Sequence, residues 1–339
     1  MSGVYTFFAI LSTLIGGSGI ILNLLVCLVY FTTPKLLDAP NIFILNIAAG
    51  DLTYSIVALP MLVVSNARGE WAFGSEGCTA YGFLTTFFAL GSMMHLAGAA
   101  YERYFTLCKL FNDGETQFSR KKALLLSATL WCYSLFWSLM PACGWSSFVQ
   151  EGIGTSCSVN WTSKDAGDVS YTVCLMLACF VLPIAVIIYC YYRTHKALGH
   201  LSAQALEHWG ENSRATHDTL QAERKMVWIT AAITTGFLIA WTPYTLASIV
   251  AILKPGVVSD IGASIPAYLA KSSACYNPII YVFMYKRVRT RLMDVINCRC
   301  GRVQPGGGSA ANTEVATHGK SVETRGSRNQ QTNSSQSAV

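Results

Sequence analysis

The sequence predicts an all-α membrane protein: seven transmembrane helices, then a short amphipathic helix and a disordered tail. Three observations predict it. The 339 residues are 52% hydrophobic and only 12% charged, about half the charge share of a soluble domain. Apolar segments recur at roughly residues 4–32, 41–65, 78–107, 123–143, 170–192, 226–252 and 261–284, each near the ~20 residues a spanning helix needs. The loops also alternate in charge. Lys109, Arg120, Lys121, Lys122, Arg193, Lys196, Arg224, Lys225 and the stretch from Lys286 to Arg302 fall on one side, against only Arg68, Lys164 and Lys254 on the other. Positive charge stays inside, so the first group is cytoplasmic and the N-terminus is outside. An odd number of spans then leaves the C-terminus in the cytoplasm. The net charge of +6, so placed, suits anionic lipid and not nucleic acid.

The first span carries no charged side chain before Lys35, an apolar run far longer than the core of a signal peptide. The nearly absent N-terminal tail points to a truncated start. Pro60, Pro141, Pro183, Pro243, Pro266 and Pro278 sit within apolar segments, where each removes a ladder bond and kinks a helix unless neighbours satisfy the freed carbonyl. For Pro60 and Pro141, shaping the bundle is the whole reading. The chain divides into a bundle over 1–285, an amphipathic cytoplasmic helix over 286–300 and a disordered cytoplasmic tail over 301–339. In the second part Val288, Leu292, Val295 and Ile296 recur at helical spacing among basic residues, as in a helix lying on a membrane surface. Cys298 and Cys300 follow, as palmitoylation sites or as plain cytosolic thiols. The tail is rich in Gly, Ser, Thr, Asn and Gln, a composition that buries too little to fold. Its hydroxyls are candidate phosphorylation sites, and Ser337-Ala338-Val339 is a weak match to a terminal PDZ ligand.

Most of the twelve cysteines lie inside spans, where cysteine is usually a small buried hydrophobe. Cys78, Cys143 and Cys157 lie near the oxidising outer face, where one disulfide is expected; the sequence does not choose the pair. Asn160-Trp161-Thr162 is a glycosylation sequon in the same outer region, with an unmodified Asn160 as the alternative. No metal site and no catalytic residue stands out. Lys271 does, as the only charged side chain between Ile261 and Tyr285. An ammonium at that depth costs roughly 2.5–3.5 kcal/mol even on the lenient insertion scale and marks a functional site. A desolvated lysine can serve as the amine of a Schiff base with a bound aldehyde.

Several motifs narrow the class. Gly19 to Asn23 and Asn46 to Asp51 are similar to the polar core of rhodopsin-type receptors. Glu102-Arg103-Tyr104 resembles that family's DRY-type triplet, Trp241-Thr242-Pro243-Tyr244 its CWxP element, and Asn277-Pro278-Ile279-Ile280-Tyr281 its NPxxY motif. Lys271, six residues before Asn277, stands where the opsins of this family carry their retinal. The chain is thereby identified as a member of the opsins. Leu135 to Pro141 and Gly154 to Trp161 look most like the peropsin, retinochrome and neuropsin branch.

The resemblance implies a light-sensitive G-protein-coupled receptor with retinal, 11-cis or all-trans in darkness, joined to Lys271. It pairs Cys78 with Cys157, pinning the second outer loop over the bundle mouth. A protonated Schiff base is a buried cation that needs a counterion. Where vertebrate visual opsins place a glutamate in span three this chain has Tyr81, which is not an anion near neutral pH. The resemblance then offers Glu151 on the loop, with Glu76 as the fallback. Trp241, Tyr244, Tyr81, Phe237, Phe180 and Thr86 are the expected pocket wall. Asn23, Asp51 and Asn277 are the expected polar core. Arg103, held by Glu102 and Glu223, would release span six on activation, with Tyr191 and Tyr281 stabilising the open form. The implied partners are a heterotrimeric G protein, a receptor kinase, arrestin and membrane lipid, at the plasma membrane. The alternative implied by the branch is a retinal photoisomerase converting all-trans to 11-cis. A third reading, a light-independent chemoreceptor or transporter, makes Lys271 an ordinary ion-pair partner.

Overall fold

The structure is a computed structural model and describes residues 2–112, 118–209, 214–284 and 289–293. Its helices are α1 (Ser2–Thr32), α2 (Ala39–Arg68), α3 (Gly74–Asn112), α4 (Arg120–Leu139), α5 (Ala166–Met176), α6 (Leu182–Trp209), α7 (Arg214–Leu253), α8 (Asp260–Lys271) and α9 (Ser273–Met284). Six helical segments are long and apolar enough to cross a bilayer: residues 3–32, 39–68, 74–108, 120–139, 166–200 and 227–253. The seventh span is broken at Ser272 into α8 and α9, of 12 residues each, and neither half alone reaches spanning length.

Lipid reverses the usual polarity of a helix face. In α1, Phe7, Ile10, Leu14, Ile21, Leu24, Leu28 and Phe31 repeat on the exposed side, while Ser12 and Asn23 are fully buried. Polar groups turn inward because hydrocarbon offers them no partner. Helix ends are capped where loops begin: Asp38 accepts the Asn41 N–H ahead of α2, and Gly69 closes it at φ 76°, the left-handed region that glycine enters freely. α3 runs through the bundle, touching α2, α4, α6 and α7 and lying against both outer strands.

Two prolines are compensated from neighbouring helices. Pro278 has no N–H for the Ala274 carbonyl one turn earlier, and Asn23 Nδ2 donates to that carbonyl at 2.9 Å. Pro183 follows a π-helical turn, Leu177–Val181, in which the Leu182 N–H reaches back to Leu177 O. In that register Pro183 would have served Ala178 O, and Tyr133 hydroxyl donates there instead at 3.1 Å. Pro141 departs from expectation. Helix α4 stops at Leu139 and Pro141 lies in the turn that follows, so it ends the span and does not kink it.

Between α4 and α5 the outer loop folds into a hairpin, β1 (Phe148–Glu151) paired antiparallel with β2 (Ser156–Val159), Phe148 opposite Val159 and Glu151 opposite Ser156. Cys157 is disulfide-bonded to Cys78 in the first turns of α3. The hairpin presses on the helix: a Cβ at Gly82 would lie 2.4 Å from the Phe148 ring, so only glycine admits this contact. Its turn rests on α8, where the Ile153 N–H donates to Ser264 Oγ at 3.1 Å. The hairpin is thus a pinned lid over the outer end of the bundle. At the other end Leu292 is buried while Arg289, Arg291 and Met293 are exposed, an amphipathic turn within the expected surface helix. Cys298, Cys300 and the tail over 301–339 lie outside the described residues.

Candidate functional site

Lys271 is the last residue of α8, at the break in the seventh span. Its Nζ lies 3.0 Å from Glu151 Oε1, with the two side chains 10% and 4% exposed. Glu151 reaches this point because it ends β1 and the disulfide holds β2 beside it. Ser156 Oγ donates to Oε1 at 2.9 Å and Tyr244 hydroxyl donates to Oε2 at 3.0 Å. Burial pushes the pKa of this carboxyl up, but the Lys271 ammonium and the Ser158 and Ser156 hydroxyls outweigh it and hold Glu151 below the ordinary carboxylate range. A buried anion and cation at contact distance, each hydrogen-bonded, is the arrangement under which such a pair is tolerated.

The pair lines a cavity between the helices, on the side of the hairpin. Thr86, Phe180, Phe237, Trp241 and Tyr244 all line it, as the sequence suggests. Phe237 stacks on Trp241 with centroids 5.6 Å apart, and Trp241 meets Tyr244 edge-on at 6.1 Å. Trp241 Nε1 also donates to Ser273 Oγ at 3.2 Å, tying α7 to the start of α9. The π turn in span five brings the consecutive residues Cys179 and Phe180 to the same wall, a common use of such insertions.

The remaining sequence-predicted residues divide. Tyr81 is not on the cavity wall; it is fully buried against Trp71, centroids 5.2 Å apart, and Tyr54 from α2 lines the cavity. This corrects the expectation that Tyr81 borders the ligand. Of the two tyrosines, Tyr54 of α2 lines the cavity and Tyr81 of α3 does not. Glu76 is exposed, and the carboxylate on Lys271 is Glu151. At the inner end, Asp51 accepts from Ser92 Oγ at 3.1 Å and Asn277 Nδ2 at 3.0 Å, while Asn23 serves Gly19 and Ala274 carbonyls. Arg103 binds Glu102 at 2.5 and 2.8 Å with both buried. Tyr104 packs on Tyr189 beside the Arg193 guanidinium, and Tyr191 hydroxyl meets Thr234 at 3.4 Å. The side chains of Glu223 and Tyr281 lie outside the described residues. Asn160 Nδ2 donates to Asp168 Oδ2 at 3.0 Å, a bond that a glycan on that nitrogen would displace.

Sequence reasoning missed Ser156, Ser158 and Trp161, which hold the lid side of the site. Trp161 meets Tyr244 edge-on at 5.9 Å and donates to Ser158 Oγ at 3.2 Å. The alternation Ser156-Cys157-Ser158 was the available signal, since a half-buried strand turns alternate residues to one face.

Comparison with known proteins gives the family. Residues 22–281 match the family described as 7 transmembrane receptor (rhodopsin family). Pinopsin of Gallus gallus is 34% identical over 292 residues, 84% of this chain and 80% of that one. Parapinopsin of Ictalurus punctatus is 32% identical, with 87% of this chain and 83% of that one covered. Melanopsin-B of Xenopus laevis is 33% identical over 84% of this chain and 54% of that one. The crystal structure of squid rhodopsin superposes with a TM-score of 0.80 at 26% identity, covering 91% of this chain and 89% of that one. The chain belongs to the rhodopsin family of seven-transmembrane receptors. Within that family it is an opsin, a light-sensitive G-protein-coupled receptor integral to the membrane. Membership implies a retinal chromophore and a G protein as partners, and the relatives named are receptors, not enzymes. The residues present fit a retinal: an amine paired with a carboxylate at one end of an apolar, aromatic cavity.

Proposed function

We propose that Lys271 carries retinal as a protonated Schiff base with Glu151 as its counterion, and that light thereby drives G-protein activation. The observation that carries the reading is the 3.0 Å Lys271–Glu151 pair at the head of the aromatic cavity. The free ammonium of Lys271 stands in for the protonated Schiff-base nitrogen. Retinal, when bound, supplies the light absorption and the change of shape. This chain's own residues do the rest. Glu151 holds the positive charge, and Ser156 and Tyr244 fix its carboxylate. The disulfide-pinned lid and Trp161 bury the pair in a setting of low dielectric, which strengthens the attraction. Trp241, in the cavity and bonded to Ser273, couples the ligand to the hinge of the seventh span. Asp51 and Asn277 continue the link inward. Arg103 with Glu102 forms the cytoplasmic lock, with Glu223 as its second partner, and Tyr191 and Tyr281 stabilise the open state.

The same reading puts the receptor in the plasma membrane with its N-terminus outside, served by a receptor kinase and arrestin at a phosphorylated tail. Cys298 and Cys300 would anchor the surface helix as palmitoylated thiols. The peropsin, retinochrome and neuropsin branch is supported by Leu135 to Pro141 and Gly154 to Trp161. A counterion on the lid suits a pigment that keeps its chromophore in both light and dark states. The complete set of switch residues supports a receptor over a photoisomerase, which has no use for them. Nucleotide exchange on a purified G protein tests this: the retinal-loaded protein should accelerate exchange on illumination, and the Lys271→Ala protein should not. Exchange that ignores light would overturn the reading.

A further inference from the structure

Glu151 faces two cavities. The inner one holds Lys271 and the aromatic wall. A second, of about 160 Å³, lies on the outer side between the hairpin and the first turn of α8. Gln150, Thr162, Ser259 and Asp260 form its exposed mouth. Its floor is Glu151, Ser158, Val159 and Trp161, and all four also line the inner cavity. These floor residues are 4–8% exposed, so a single layer of side chains separates the outer solution from the Lys271–Glu151 pair.

The volume and chemistry of the outer cavity suit water. One water needs roughly 10–15 Å³ of such space and two to four polar partners, so about 160 Å³ bordered by Gln150, Ser158, Thr162, Ser259 and Asp260 has room for several. Its wall is built and fixed. Gly152 turns at φ 59° with its Cβ position 2.2 Å from Ser264 Oγ and 3.0 Å from Asp260 O, and Ile153 is hydrogen-bonded to Ser264.

We propose that this antechamber is an aqueous port, through which water and protons from the outer solution reach the Glu151 carboxylate across the Ser158–Trp161 floor. The chemistry it admits is small and polar: water, hydronium and cations of similar size, drawn by Asp260 at the mouth and Glu151 at the floor. The proposal identifies the lid, and not only the helix bundle, as the route by which the buried pair exchanges with solvent. It concerns the protein without chromophore and does not depend on whether retinal binds.

The test uses the full chain without retinal in right-side-out vesicles, with the exposed outer thiol removed by Cys143→Ser. A membrane-impermeant cationic methanethiosulfonate reagent is added outside, and modified peptides are quantified by mass spectrometry over time. Ser158→Cys should react at least tenfold faster than Ser273→Cys, which is equally buried but lines the inner cavity alone. Val159→Cys, on the same floor, repeats the test should Ser158→Cys fold poorly. Thr162→Cys at the mouth should react fastest and verifies orientation. Filling the mouth with Thr162→Trp should slow Ser158→Cys at least tenfold. Equal rates at positions 158 and 273, or a rate at 158 that ignores Thr162→Trp, would overturn the port.

Discussion

Replacing Glu151 by glutamine removes one charge and almost nothing else. The amide has the carboxylate's shape and can still accept the Tyr244 hydroxyl, so the change isolates the ion pair. Lys271 Nζ and Glu151 Oε1 are 3.0 Å apart with at most 10% of either side chain exposed, so solvent screens the pair little. At an effective dielectric of about 20 their attraction is about 5.5 kcal/mol, or about four decades in an equilibrium constant. In the pigment that attraction keeps the Schiff base protonated. A pigment regenerated with retinal should therefore absorb in the visible with Glu151 and in the near ultraviolet with Glu151→Gln at neutral pH, the visible band returning on acidification. In the protein without retinal, Glu151→Gln leaves a buried ammonium alone, a loss of about 3–5 kcal/mol. The double variant Glu151→Gln/Lys271→Ala should recover much of that loss, because no orphan charge remains. An unchanged visible band in Glu151→Gln would refute the counterion assignment. A double variant as unstable as Glu151→Gln would refute the attribution to charge.

Three further expectations follow from the same geometry. Glu151 is held below the ordinary carboxylate range in the folded protein, so its contribution is fully present above the unfolded glutamate value of about 4.3 and is lost as pH falls through the lower folded value; thermal melts of the retinal-free protein should show this acid-side loss, and Glu151→Gln should abolish it. Tyr133→Phe strips the donor from Ala178 O at the π turn and should cost roughly 0.6–1.7 kcal/mol, read as a lower melting temperature; no change would mean that another group serves that carbonyl. Gly152→Ala combines a positive φ with a Cβ 2.2 Å from Ser264 Oγ and should destabilise by about 1–3 kcal/mol, with raised hydrogen exchange in the 148–159 hairpin; unaltered exchange there would contradict the pinned lid.

The bundle was legible from the chain because lipid imposes a long apolar run on each span and a charge bias on each loop. The break at Ser272 was not, since no proline or glycine sits there and the helix parts between two serines. Lys271 could be singled out because a lone charge in a span is costly wherever it points. Glu151 could not be singled out from local pattern, since an isolated loop glutamate is usually exposed; it entered through resemblance, and only the hairpin shows how it reaches depth. The prolines were visible but their compensation was not. Asn23 serving Ala274 and Tyr133 serving Ala178 are contacts between helices distant in sequence. Tyr81 was misplaced for a similar reason: its ring packs on Trp71 and away from the cavity, where Tyr54 of α2 stands beside Thr86 and Phe88 of α3.

The central claim is that Lys271 binds retinal covalently, and its most direct test is an absorption spectrum. The purified protein is incubated in darkness with 11-cis- or all-trans-retinal beside Lys271→Ala. A red-shifted band that forms with at least one isomer, survives denaturation as a reducible adduct and is lost in Lys271→Ala is the predicted result. No band with either isomer, or an equal band in Lys271→Ala, would contradict the account.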